Sequence, residues 1–259
     1  MLDEKTAFVS GGSKGIGLAI ARKLAEGGCN VFLVASSADR LRAAADELSH
    51  VGPGEVGCHA ADLRTLEGCS EAVRAALDRF GRCDILVNAA GATKGGIFPD
   101  QPDEEMLDGF ALKFHGAVRL CRALWPALKE AKGTVINIVG GFARTPAADF
   151  MVGGAVNAAL ANFSKALADK GLRDDVNVNW IHPGLTVTER LEGIFVDRAA
   201  QQGKTRDQVE ADSIAAEGIR RLGQPTDVAA LVAFLCLPAA RHIHGTGIAC
   251  DGGGAKGYY

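Results

Sequence analysis

Tyrosine is almost absent from this sequence. Of 259 residues only two are tyrosine, and they occupy the last two positions, Tyr258 and Tyr259. Aromatics amount to 6%, against 33 glycines and 47% hydrophobic residues, so the core must be built from small and branched aliphatic side chains. Such a core suits helices packed closely on a parallel sheet. An excess of either charge is also lacking. The net charge is −3 with no basic block, which argues against a nucleic-acid partner. The longest apolar run, 228–237, is too short to span a bilayer, so no membrane association is expected. Residues 1–5 are polar and acidic and lack the apolar stretch of a secretory leader. The seven cysteines include no CxxC pair. They are expected to be reduced thiols of a cytoplasmic protein. His242 and His244 form an HxH without an accompanying carboxylate or cysteine cluster, so a polar turn and no metal is expected there.

What is present is a regular alternation. Apolar strand-like runs at 5–10, 31–35, 56–60, 84–88, 134–139 and 176–181 are separated by helical stretches at 15–26, 38–48, up to about 80, 104–129 and 149–170. Pro126 is expected to bend the last turn of the fourth helix. Six alternations without a linker predict an α/β fold, a single Rossmann domain over 1–259 with a doubly wound parallel sheet and helices on both faces. The polar segment 188–212 breaks the rhythm and is expected to be a helical lid over the carboxyl ends of the strands. A helix at 226–237 and a strand at 247–250 follow.

Ser10-Gly11-Gly12-Ser13-Lys14-Gly15-Ile16-Gly17 lies between the first strand and first helix. Glycines there let the backbone approach a pyrophosphate, and the helix N-terminus supplies N–H groups. Asn88-Ala89-Ala90-Gly91 follows the fourth strand, Asp62-Leu63 the third, and Pro183-Gly184 with Thr186 and Thr188 the sixth. Arg221-Leu222-Gly223-Gln224-Pro225 and Asp251-Gly252-Gly253 lie further on. Together these resemble, along the whole chain, the short-chain dehydrogenase/reductase family, with Ser10 in place of a threonine. The resemblance implies a nicotinamide dinucleotide held by Gly11, Ser13, Lys14, Gly15, Ile16, Gly17, Asp62, Leu63, Asn88, Ala89, Ala90, Gly91, Pro183, Gly184, Thr186 and Thr188. NAD enzymes usually end the second strand with a carboxylate, whereas Ala35-Ser36-Ser37 stands here. Lys14, Ser36, Ser37 and Arg40 would suit a 2′-phosphate, so NADP(H) is favoured over NAD(H). Solvated surface charges are the plain alternative for Lys14 and Arg40.

The resemblance also implies a catalytic Ser, Tyr, Lys and Asn. Anchored on Asn157-Ala158-Ala159-Leu160, the Lys position falls on Asn157, the Tyr position on Gly153, the Ser position on Gly140 and the Asn position on Lys113. Asn157 can still bond a ribose hydroxyl. Lys113 is the candidate catalytic residue, with a helix-surface lysine as the alternative. His115, Arg144 and Asp149 are expected to be structural. Mobile Tyr258 and Tyr259 are a further source of acid, against a frayed terminus. The two glycines are expected to enlarge the pocket. These residues predict an atypical NAD(P)(H)-dependent oxidoreductase acting on a small organic carbonyl or alcohol. A lyase, isomerase or hydrolase on the same scaffold, and a non-catalytic nucleotide-binding protein, remain alternatives. The family resemblance implies a dimer or tetramer through the helices from 104 and 149, where Gly154, Ala155, Ala158 and Ala161 would permit close approach.

Overall fold

Seven strands form one all-parallel sheet in the order β3-β2-β1-β4-β5-β6-β7. They are β1 (Thr6–Ser10), β2 (Asn30–Ala35), β3 (Val56–Ala60), β4 (Ile85–Asn88), β5 (Thr134–Ile138), β6 (Asn177–Pro183) and β7 (Gly247–Cys250). This computed structural model describes residues 2–91 and 93–257. Every residue of β1, β4 and β5 is buried, because helices cover both faces. That is why these strands read as continuous apolar runs without alternation.

The chain winds outward from β1 to β3 and then returns past β1 to β4. At this reversal the loops after β1 and β4 diverge and open a crevice at the carboxyl ends of the strands. On one face α1 (Gly15–Glu26), α2 (Ala38–Leu48) and α9 (Pro225–Leu235) bury Ile20, Leu24, Leu41, Leu48, Val232 and Leu235 against the sheet. On the other, α3 (Leu66–Phe80), α5 (Gly116–Glu130) and α6 (Met151–Asp174) bury Val73, Leu120, Leu124 and Ala168.

Three expectations need correction. The helix foreseen over 104–129 is two helices, α4 (Asp103–Gly109) and α5, joined by a π-helical turn at Phe110–His115. The irregularity therefore falls around Lys113, while Pro126 lies inside α5, which runs on to Glu130. The polar segment is a pair of helices, α7 (Glu189–Gln202) and α8 (Arg206–Glu217), extending past residue 212. The pair encloses its own small core of Leu191, Phe195, Ala199, Val209 and Leu222. Its start and its corner are set by sequence: Thr188 Oγ1 accepts from the Leu191 N–H, and Thr205 with Gln208 forms a capping box. Finally, Gly154 does not lie on the outer face of α6 but is buried against the carbonyl of Phe142.

The seven cysteines are free. Burial pushes Cys29, Cys83, Cys121 and Cys236 up to about 12, so they stay protonated at neutral pH. His244 joins β6 to α6, accepting from Val178 N–H through Nδ1 and bonding the Ala168 carbonyl through Nε2. No group of three or more potential metal ligands occurs among the described residues, and no helix there is long and apolar enough to cross a membrane.

Candidate active site

The crevice is tied together at Ser10. Its Oγ accepts from the N–H groups of both Ala89 and Ala90 at 3.2 Å, so the loop after β4 is anchored to the end of β1. Ser10 is buried, and losing its hydroxyl would leave two part-buried donors without their acceptor. Ser10→Ala is therefore expected to destabilise the fold by about 1–3 kcal/mol, and Ser10→Thr to be tolerated, as read by urea denaturation.

From Ser10 the chain turns sharply into α1. A side chain at Gly17 would run into the Gly11 carbonyl, so this close approach requires glycine. Lys14 caps α1 without a side-chain bond to the helix, and its first turn holds no acidic residue. The N–H groups around Ser13, Gly15 and Ile16 are thus available to an anion. Across the crevice Asn88 is buried, its Nδ2 on Asn137 Oδ1 at 2.8 Å, and Asn137 continues to Ser164. Ser36 and Ser37 stand exposed at the end of β2, and Ser37 makes no cap bond with α2. Asp62 is exposed and engaged with the backbone and guanidinium of Arg64. Leu63 turns its side chain into the core, and its carbonyl accepts from the Cys69 thiol.

The loop after β6 is held from behind. Val187 N–H donates to the Gly223 carbonyl and Gly223 N–H to that of Leu185, while Arg221 binds both carboxylate oxygens of Asp227. Gly184 lies against the backbone of Asp251, whose carboxylate accepts from Gly253 and Ala255. These contacts are the structural content of the RLGQP and DGG segments. Thr186 is buried, with Oγ1 on the Gly184 carbonyl, and Thr188 lies beside Gly15.

At the end of β5, Gly140 has a φ of +125°, which side chains rarely adopt, and a Cβ there would press on the Asn157 amide. His182 holds this turn: its Nε2 accepts from Trp180 at 3.0 Å, which leaves Nδ1 to donate to the Gly140 carbonyl at 2.9 Å. Burial keeps that imidazole below its usual pKa and hence neutral. Asn157 is buried, and its Oδ1 has no partner among the described residues. An orphaned buried oxygen at the crevice fits a hydroxyl donor from a bound ribose.

The side-chain space at Gly153 is not empty. A methyl group added there would run into the ring of Phe150. That ring packs on Phe142 at 4.9 Å, with the Arg190 guanidinium 6.0 Å from its centroid. The enlarged pocket expected from two glycines is therefore filled here by an aromatic side chain.

Lys113 points inward. Its stem lies against Gly91 and its Nζ donates to the Val139 carbonyl, one residue before Gly140. No carboxylate pairs with it among the described residues. Burial, with the nearby Arg190, pushes the ammonium down to about 7. Arg190 likewise has no acidic partner among the described residues and donates to the Thr93 carbonyl. His115 is exposed, against the Phe114 ring. Arg144 bonds the Gly247 carbonyl, and Asp149 approaches Arg198. Tyr258 and Tyr259 lie outside the described residues.

A sequence profile described as Enoyl-(Acyl carrier protein) reductase matches residues 11–255. The chain belongs to the short-chain dehydrogenase/reductase family. Its members here are oxidoreductases. An uncharacterized oxidoreductase of Mycobacterium tuberculosis is 33% identical over 97% of this chain and 92% of its own. A 3-oxoacyl-[acyl-carrier-protein] reductase of Vibrio cholerae is 32% identical over 97% and 98%. The crystal structure of L-sorbose reductase from Gluconobacter frateurii, complexed with NADPH and L-sorbose, superposes with a TM-score of 0.94 at 32% identity, over 98% of both chains. This chain is accordingly an oxidoreductase of the kind that binds a nicotinamide cofactor. Within that family frame Phe150, Arg190, His182 and Glu189 were not singled out from the sequence. His182, adjoining Pro183-Gly184, and Glu189 and Arg190, following Thr188, carried a positional signal.

Proposed function

We propose that this enzyme is an atypical, cytoplasmic NADP(H)-dependent oxidoreductase of a small organic carbonyl or alcohol, working without the family's Ser, Tyr and Lys. The observation that carries this reading is the pairing of a filled Gly153 site with an inward Lys113 whose amine titrates near neutrality. The nicotinamide supplies or accepts the hydride when bound. Gly11, Ser13, Gly15, Ile16 and Gly17 hold the pyrophosphate, Asn88, Ala89, Ala90 and Gly91 line the ribose side, and Asn157 Oδ1 accepts from the nicotinamide ribose. Asp62 and the Leu63 backbone meet the adenine. Pro183, Gly184, Thr186 and Thr188 face the nicotinamide end. Lys113 takes the role of cation, stabilising charge that develops on the substrate oxygen. The α7–α8 pair covers the site as a lid.

NADP(H) is favoured because Lys14, Arg40, Ser36 and Ser37 surround the end of β2, where no carboxylate stands. The L-sorbose reductase neighbour holding NADPH supports this. Fluorescence titration is expected to show NADPH binding at least several-fold more tightly than NADH. Equal affinity would contradict the assignment. A carbonyl and alcohol panel then tests turnover, and cofactor binding with no turnover at all would favour a non-catalytic role.

Self-association is part of the same proposal. Met151, Ala155, Ala158 and Asn162 are exposed along one side of α6, and Leu107 of α4 is 64% exposed. A dimer or tetramer through these helices is expected by light scattering at micromolar concentration, and a monomer would refute it.

A further inference from the structure

Glu189, the first residue of α7, carries a carboxylate that the cofactor contacts above leave unused. Its Oε2 lies 2.9 Å from Lys14 Nζ and 3.5 Å from Arg40 Nη1. The two cations come from separate elements, Lys14 from the turn after β1 and Arg40 from α2, and they meet on one oxygen atom. Thr188 caps α7 through the Leu191 N–H, and its side chain stands beside Gly15, so the start of α7 lies next to the glycine-rich turn. Lys14 and Arg40 hold Glu189 below the usual carboxylate range, so it is charged at neutral pH.

We propose that Glu189 is a cofactor-selecting residue, whose carboxylate competes with the adenosine 2′-phosphate for Lys14 and Arg40. This rests on the assignment of those two cations to NADP(H). The occupant is a phosphate monoester because two cations on one acid leave a positive excess, and a dianion satisfies both more fully than a carboxylate. The exchange is easy. Lys14 and Glu189 are 51% and 65% exposed, and ion pairs so open to water are weak and salt-screened. Once displaced, Glu189 stays near the phosphate as a like charge. Its presence therefore weakens NADPH and leaves NADH, which carries no 2′-phosphate, untouched. The carboxylate comes from α7 and not from the end of β2, so selection is built into the lid instead of the sheet.

The test is titration of NADPH and NADH into the wild type, Glu189→Gln, the Lys14→Ala/Arg40→Ala variant and the triple variant, followed by nicotinamide fluorescence. Glu189→Gln is expected to tighten NADPH about three- to tenfold, leave NADH within about twofold, and lose its effect at high salt and in the triple variant. A Glu189→Gln variant that binds NADPH as the wild type does overturns the proposal. So does one that binds NADH more weakly, since Glu189 would then be holding ribose hydroxyls. If removing both cations leaves the NADPH-to-NADH ratio unchanged, the NADP(H) assignment itself falls and the competition with it. If that ratio drops while Glu189→Gln is silent, only the competition falls.

Discussion

Lys113→Met is expected to lower turnover about 100-fold or more while changing NADPH affinity less than about threefold. The amine sits beside the turn that ends β5 while the stem lies on Gly91, so loss of the charge is expected to act on the reacting end, and methionine keeps the packing on the loop after β4. Because its ammonium titrates at about 7, wild-type turnover is expected to fall as pH rises through that value, and the falling limb should vanish in Lys113→Met. Stability moves the other way. In the unfolded chain this lysine keeps its proton up to its ordinary value of 10.5. Between about 7 and 10.5 the unfolded state holds a proton that the native state lacks, so stability drops as pH falls across that window, by up to about 1.4 kcal/mol per unit. Below 7 the full penalty applies. Lys113→Met removes it but leaves the Val139 carbonyl without its donor. The net expectation is a stabilisation of about 1–3 kcal/mol at pH 6 that shrinks towards pH 10, measured by denaturant titration at both values. Unchanged turnover with this variant would sink the role given to Lys113.

The second large effect is a reversal of sign at Gly153. Alanine inside a helix stabilises by up to about 1 kcal/mol relative to glycine, and Gly153 lies in the first turn of α6. Here a methyl group would meet the Phe150 ring, which is itself packed on Phe142. Gly153→Ala is therefore expected to destabilise by about 1–3 kcal/mol. In a Phe150→Ala background the same substitution should stabilise by up to about 1 kcal/mol, because the obstruction is gone. A double-mutant cycle by thermal and urea denaturation measures the coupling. The same packing bears on the proposed placement of the family's Ser, Tyr and Lys positions at Gly140, Gly153 and Asn157. Gly140→Ser/Gly153→Tyr/Asn157→Lys is expected to fold poorly and to reduce simple ketones no better than the wild type unless Phe150 is also replaced. Full activity of the triple variant with Phe150 in place would show that the ring moves aside freely.

The fold was legible because periodicity reports burial. Strands covered on both faces appear as unbroken apolar runs, and the helices between them repeat at helical spacing. The tight turn after β1 was legible for a related reason: close backbone approach demands glycine at Gly11 and Gly17, whereas the bonds from Ala89 and Ala90 to Ser10 join distant parts of the chain and were not legible. The break in the helix around Lys113 was not legible, since Phe110–His115 carries no glycine or proline to announce a π-helical turn.

By itself the sequence determined the order of elements, the doubly wound sheet and the lack of any tyrosine before position 258. Only the tertiary structure decided what fills the room that Gly153 leaves, where the Lys113 amine points, and which acid meets Lys14 and Arg40. Two of those outcomes join residues far apart in the chain, Lys113 with Val139 and Glu189 with Lys14, and the third, Phe150 against Gly153, depends on the packing of that ring on Phe142 and beside Arg190. Local propensity carries no information about such pairs. They are fixed by packing and by the electrostatics of burial, which exist only once the sheet has brought its carboxyl ends together.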